Sequence, residues 1–277
     1  MEVRLTVLCE NSVLFPRGVI GEHGFACYVE TPRGNYLWDT GQGFGIVQNA
    51  ITLRKDLTAI TALILSHGHY DHTGGLDKVL MLRDKTRALA HPDIFVNRYW
   101  KLSNKNLGIG MPFSRGFLEG LGAEFELSTD FREVADSVYL TGEVTRLNDF
   151  EKGDLGMAGI YAGVEVSPDP IRDDNSLILD TSKGLVILLG CAHAGMINII
   201  DYARQKTGKN KVYAVVGGTH MGFASPAQFE KTLTVIGDYG IERVGVAHCT
   251  GLLQGARLCN LLGDKFFFGA VGAVLEV

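Results

Sequence analysis

Ser66-His67-Gly68-His69-Tyr70-Asp71-His72-Thr73-Gly74-Gly75-Leu76 decides how this chain is read. Four potential metal ligands, His67, His69, Asp71 and His72, fall within six residues. The apolar, β-prone run 59–65 comes directly before them, so a buried strand delivers a polar, His-rich loop to one edge of a sheet. Imidazole and carboxylate together suit zinc, iron or manganese better than magnesium or calcium. Packing alone explains such a cluster poorly, because each unpaired polar group buried there would cost stability.

Working outward, the same junction of apolar strand and polar loop recurs. Residues 3–9, 25–30 and 35–38 read as strands, the last ending in Trp38-Asp39-Thr40-Gly41. Residues 185–189 end in Gly190-Cys191-Ala192-His193-Ala194-Gly195, and 212–216 in Gly217-Gly218-Thr219-His220. Residues 243–247 end in His248-Cys249-Thr250-Gly251. The spacing predicts a loop over 10–21 around Pro16 and Gly18, and a helix over 43–54 with Phe44, Val47 and Ile51 on its apolar face. It predicts further helices over 73–82, 196–205 and 252–262, strands over 87–90, 138–142 and 176–180, and a closing strand over 266–275. Ser225-Pro226-x-Gln228 signals a capped helix start, with Phe229, Leu233 and Ile236 buried and Gly240 as the stop. The start of the 73–82 helix, beside the His-rich loop, favours negative charge nearby. His91 ends a strand and reads equally as a cleft residue or a structural one. Residues 93–170 show the weakest pattern. Their aromatics, Phe95, Tyr99, Trp100, Phe113 and Phe117, read as packing or as a stacking surface for a ring. Lys101, Arg115 and Arg146 read as anion contacts or plain surface charge.

His67-x-His69-x-Asp71-His72 matches an H-x-H-x-D-H signature, and the chain resembles the metallo-β-lactamase superfamily. The resemblance implies an α/β fold, a four-layer αββα sandwich, and a metal-dependent hydrolase. It implies His67 and His69 on one metal, and Asp71, His72 and His248 on a second. The superfamily's usual third His for the first metal is missing. Its window holds only Ser167, Asp169, Asp173 and Asp174. His193 is the expected replacement, with Cys191 or one of those aspartates as alternatives. Cys191 also stands where a bridging Asp is usual. Asp39 matches an acidic position that orients a ligand imidazole in relatives. Gly68, acidic in some iron-containing relatives, points to zinc. One or two zinc ions are expected, with manganese or iron as alternatives. The metal would lower the pKa of a bound water, Asp71 would orient that nucleophile, and His220 or an unligated His193 would protonate the leaving group. Glu22-His23-Gly24, the 190–195 loop and His248-Cys249-Thr250-Gly251 look similar to a branch named after a dihydropteroate-synthase-like step in methanopterin biosynthesis. That name implies a phosphorylated, pterin-like substrate. Glu22-His23 lies near the pocket or in a surface loop.

Composition narrows the alternatives. At 277 residues the chain reads as one domain, 1–277, with an insertion or lid at about 93–170. A net charge of −5 without a basic run argues against nucleic acid. Five scattered cysteines and no CxxC pair suit a reduced, cytoplasmic protein. No signal-type core opens the chain and no apolar run is long enough for a membrane span. The expected partner is a small anionic molecule, and a homodimer is compatible with the sequence. Two other readings stay open: an iron-containing redox protein on the same scaffold, and a metal- or ligand-binding module without catalysis.

Overall fold

Every side chain from Leu185 through Leu189 is fully buried. Such a run fits only a strand covered on both faces. That strand sits in the middle of the second of two seven-stranded sheets. The computed structural model describes residues 1–14 and 18–277. Pro16, expected in the first loop, lies outside the described residues.

The first sheet runs Val274–Glu276, Arg4–Cys9, Ala26–Thr31, Gly34–Trp38, Ile60–Ile64, Thr86–Ala90, Ala123–Leu127 from edge to edge. The second runs Phe266–Phe268, Arg243–Ala247, Val212–Gly218, Gly184–Leu189, Ser176–Thr181, Val138–Leu140, Arg132–Ala135. Between them, Leu5, Val7, Trp38 and Ile64 meet Leu177, Leu179, Val186 and Val216 in one apolar core. Trp38 Nε1–H donates to Leu189 O across the gap at 3.2 Å. Helices Ile46–Thr52, Leu76–Leu80 and Arg115–Gly120 cover the outer face of the first sheet. Met196–Thr207, Pro226–Asp238 and Leu252–Leu262 cover that of the second. The order is helix, sheet, sheet, helix: the four-layer αββα sandwich implied by the sequence. No helix among the described residues is long and apolar enough to cross a membrane.

Parallel pairing positions the site. Gly34–Trp38, Ile60–Ile64 and Thr86–Ala90 run parallel in the first sheet. Gly184–Leu189, Val212–Gly218 and Arg243–Ala247 run parallel in the second. Parallel strands end on one edge of their sheet, and the polar loops leave from those ends.

Four local readings change. The helix at Ile46–Thr52 buries Ile46, Asn49 and Ala50, while Phe44 and Ile51 are exposed. Asn49 turns inward because its amide donates to Leu8 O and Ile20 O and accepts from Ile20 N–H. The 73–82 helix is two short pieces, Tyr70–Thr73 and Leu76–Leu80. A Cβ at Gly74 would meet Gln42 O at 2.5 Å and one at Gly75 would meet Thr40 O at 2.5 Å, so the glycines admit the neighbouring loop and break the helix. The 266–275 strand is also two, one in each sheet, with the chain crossing between them at Gly269–Gly272. Residues 93–170 divide. Ala123–Leu127, Arg132–Ala135 and Val138–Leu140 extend the main sheets, while Asn97–Lys101, Asn106–Gly108, Met157–Tyr161 and Val164–Val166 form a third sheet.

Arg98 ties that third sheet to the His-rich loop. Its fully buried guanidinium reaches Asp169 Oδ2 through Nε at 2.9 Å. It reaches Asp173 through Nη1 at 3.0 Å and Nη2 at 2.5 Å. Asp173 Oδ2 also accepts the Gly68 N–H at 2.8 Å. Removing the cation alone strands two buried carboxylates. Arg98→Met is therefore expected to lose about 3–5 kcal/mol of stability, read as a lower urea midpoint. An unchanged midpoint would refute this role.

Candidate metal centre

Asp39 leaves the strand Gly34–Trp38 in a left-handed conformation, φ 56°, that turns its carboxylate toward the His-rich loop. Oδ1 accepts the Ser66 N–H at 2.7 Å, and Oδ2 accepts the Ser66 hydroxyl at 2.6 Å. Oδ2 also accepts His72 Nδ1–H at 2.7 Å. The Ser66 proton is spent on Asp39, so Ser66 Oγ accepts from His67 Nδ1–H, 2.9 Å away. A neutral imidazole carries one ring proton, so Nε2 of both His67 and His72 is bare. Asp154 Oδ2, 3.3 Å from His193 Nδ1, does the same for His193.

These bare nitrogens converge. His67 Nε2 is 3.0 Å from His69 Nδ1 and 3.3 Å from His193 Nε2. His72 Nε2 is 3.1 Å from Cys191 Sγ. His248 Nε2 is 3.1 Å from Asp71 Oδ2. The His67 and His193 Nε2 lone pairs, facing each other at 3.3 Å, repel unless a cation lies between them. The nitrogen, sulfur and carboxylate donors form overlapping groups: His67 with His69 and His193, His67 with His72 and Cys191, and Cys191 with His193 and His220. A further group joins His23, Asp71 and His248. Within each group all ligand atoms lie within 4.8 Å of one another. The donor set fits a divalent transition metal, zinc among them.

Electrostatics agrees with the geometry. Burial pushes the His67 and His69 imidazoles well below their usual range, which keeps them neutral. Burial opposes ionisation of Asp71, but the imidazoles around it, the hydrogen bond from His23 first, outweigh it and hold the carboxyl well below the usual carboxylate range. Burial likewise opposes charge on His220. Asp154, 2.5 Å away, outweighs it with help from Cys249 and lifts His220 to about 10. Burial pushes the Cys191 thiol up.

The structure thus gathers His67, His69, Asp71, His72, Cys191, His193 and His248 on one edge, with Asp39 behind them and His220 at their side. The aspartates of the upstream window do not complete the set. Asp169 and Asp173 are committed to Arg98, and Asp174 accepts the Ala194 N–H. Gly68 has a packing reason: a Cβ there would meet Ile94 O at 2.1 Å, so its smallness carries no information about the metal. His91 is buried outside the cleft and accepts the Asp93 N–H. Lys101 and Arg115 pair with Glu165 and Glu119, and Arg146 donates to Pro170 O. Glu22 accepts the Phe44 and Gly45 N–H groups, whereas His23 reaches Asp71 at 3.1 Å. Sequence reasoning missed Asn11, Asp154 and Cys249. Asp154 lies in the segment with the weakest pattern, where no periodicity marked it.

Above the ligand groups lies a cavity of about 390 Å³, walled by Tyr70, Trp100, Leu107, Ile109, Met157 and Phe223. Trp100 and Phe223 face each other with ring centroids 5.9 Å apart.

The family model described as the metallo-beta-lactamase superfamily matches residues 20–206. The chain is 28% identical over 259 residues to the 7,8-dihydropterin-6-methyl-4-(beta-D-ribofuranosyl)-aminobenzene-5'-phosphate synthase of Methanocaldococcus jannaschii, covering 90% of this chain and 88% of that protein. A second protein of that organism, described as uncharacterized, is 28% identical over 285 residues, covering 99% of this chain and 100% of that one. The crystal structure of a metal-dependent hydrolase of the beta-lactamase superfamily superposes with a TM-score of 0.83 at 25% identity over 99% of both chains.

If Asp39 sets the two imidazoles as described, Asp39→Ala should fold and weaken zinc affinity about 10–100-fold in competition with a chromophoric chelator. Wild-type affinity in the folded variant would contradict it.

Proposed function

The chain belongs to the metallo-β-lactamase superfamily, and on that premise we propose that it is a metal-dependent hydrolase of a small, anionic, ring-bearing phosphodiester or phosphorylated heterocycle. The observation that carries this reading is the set of ring nitrogens converging with Cys191 and Asp71 at the floor of an apolar-walled cavity. His67, His69 and His193 form one ligand set. Asp71, His72 and His248 form the second, with Cys191 between the two. Zinc is the proposed metal, in one or two ions per chain. A divalent ion held there supplies Lewis acidity and lowers the pKa of a coordinated water to near neutrality.

The chain's own residues supply the rest. Asp71 is ionised and presents its carboxylate at the floor, where it can orient a nucleophile. His220 carries a proton at neutral pH, is held by Asp154, and stands beside His193 at the wall of the same cavity. It is the group placed to protonate a leaving group. The third sheet, with Trp100 and Met157, covers the cavity opposite Phe223 and serves as the lid. Aromatic walls suit a planar ring, and the name of one relative carries both a dihydropterin and a ribofuranosyl phosphate. Small-molecule chemistry without nucleic acid or membrane partners fits the net charge of −5.

Metal analysis of protein purified without chelator should find about two zinc or manganese ions per chain. His67→Ala and Asp71→Ala should fold, bind less metal and hydrolyse bis(p-nitrophenyl) phosphate only at background. Full activity in either variant overturns the assignment. Bound iron with oxygen uptake would replace it with the redox reading, and tight ligand binding without turnover with the binding-module reading. Removing one aromatic wall should weaken ring binding by roughly 0.5–1.5 kcal/mol. Trp100→Ala should therefore raise KM for an aryl phosphodiester about two- to tenfold with kcat little changed. An unchanged KM would remove Trp100 from the substrate site.

A further inference from the structure

Two histidines approach the same carboxylate oxygen. His23 Nε2 and His248 Nε2 each lie 3.1 Å from Asp71 Oδ2. Their other ring nitrogens turn to one side chain. Asn11 Nδ2 is 3.3 Å from His23 Nδ1, and Asn11 Oδ1 is 2.9 Å from His248 Nδ1. A third contact settles which end of the amide is which. The Gly24 backbone N–H donates to Asn11 Oδ1 at 3.3 Å. A flipped amide would turn its NH₂ against that N–H. Asn11 therefore donates to His23 Nδ1 and accepts from His248 Nδ1–H.

The two rings are left in opposite tautomers. His248 holds its proton on Nδ1, so its Nε2 is bare. His23 uses Nδ1 as an acceptor, so its proton sits on Nε2 and points at Asp71 Oδ2. We propose that Asn11 is a positioning residue that sorts the two histidines at Asp71, making His248 a metal ligand and His23 a hydrogen-bond donor that orients the Asp71 carboxylate. The assignment of His248 rests on the metal-dependent reading above, whereas the tautomer of His23 does not. The consequence is specific. His23, Asp71 and His248 have the spacing of a three-ligand group, yet only two of them bind. His23, about half exposed at the rim, steadies the carboxylate without taking a place on the metal.

Two measurements test this. Long-range ¹H–¹⁵N spectra of the metal-free protein, under mildly alkaline conditions, report which nitrogen of His23 carries the proton. The expected result is Nε2–H in the wild type and a switch toward Nδ1–H in Asn11→Asp, which replaces the NH₂ donor with an acceptor. Zinc affinities by chelator competition form the second. His248→Ala should weaken binding by more than about 100-fold, while His23→Ala should change it less than about threefold. In Asn11→Asp, where His23 Nε2 becomes bare and can bind, adding His23→Ala should weaken zinc by more than about tenfold. Nδ1–H on His23 in the wild type overturns the proposal, as does equal loss of zinc in the two single His variants. If His248→Ala leaves metal binding unchanged, the metal assignment fails, and the His23 spectrum still decides the role of Asn11. Should Asn11→Asp not fold, the wild-type spectrum and the single His variants suffice.

Discussion

One buried carboxylate organises the edge where the two sheets meet. Asp39 accepts a backbone N–H, a hydroxyl and an imidazole N–H at once, so its charge is balanced without a cation of its own. Those bonds do more than satisfy Asp39. They orient Ser66, which sets the proton on His67, and they set the proton on His72 directly. Two ligand nitrogens are thus bared by one side chain that touches neither. The left-handed backbone at Asp39 is unusual for a residue with a side chain, and strain of that kind persists only where the surroundings hold it. Here three hydrogen bonds hold it.

The same device recurs around the site with different partners. Asp154 turns His193, and Asn11 turns His248 and His23. His67, His72, His193 and His248 are each aimed by a hydrogen bond at Nδ1, and the aiming groups come from different parts of the chain. What brings them together is the parallel run of strands in each sheet. Loops leaving Trp38, Ile64, Leu189, Gly218 and Ala247 emerge on one edge, so residues far apart in sequence share a cavity. The cross-sheet bond from Trp38 to Leu189 O locks two of those strand ends against each other, directly behind the ligands.

Much of this was legible in the sequence where local pattern and chemistry coincide. The His67–His72 run, the strand ends at Asp39, Cys191, His220 and His248, and the four layers follow from apolar runs ending in polar loops. The place of His193 beside His67 was readable because it lies two residues beyond Cys191 in the same loop. Other features depend on tertiary contacts that no local pattern encodes. Asn49 faces inward because a distant loop needs its amide, so an apolar stripe alone misplaced the buried face of its helix. The 73–82 periodicity ignored Gly74 and Gly75, whose role is to admit another backbone. Asp154 and Asn11 are single polar residues in loops, and their function appears only when the imidazoles they aim are in place.

Folding this site without a cation is unfavourable in itself. Several imidazoles are buried, His67 and His69 are kept neutral by that burial, and bare nitrogens face one another, a carboxylate and a thiol. The His67 and His193 nitrogens, both bare and 3.3 Å apart, gain no hydrogen bond in return. The surrounding sheets must therefore supply the stability that holds the ligands ready. They do so from the apolar core between them and from Arg98, which fastens the third sheet to the His-rich loop at Gly68. A cation held at the site would meet the neutral His67 and His69 imidazoles and would relieve the repulsion between the His67 and His193 nitrogens. Metal affinity and local stability are therefore linked through the same few nitrogens. Asp39, Asp154 and Asn11 act on both although none of them is in the ligand set.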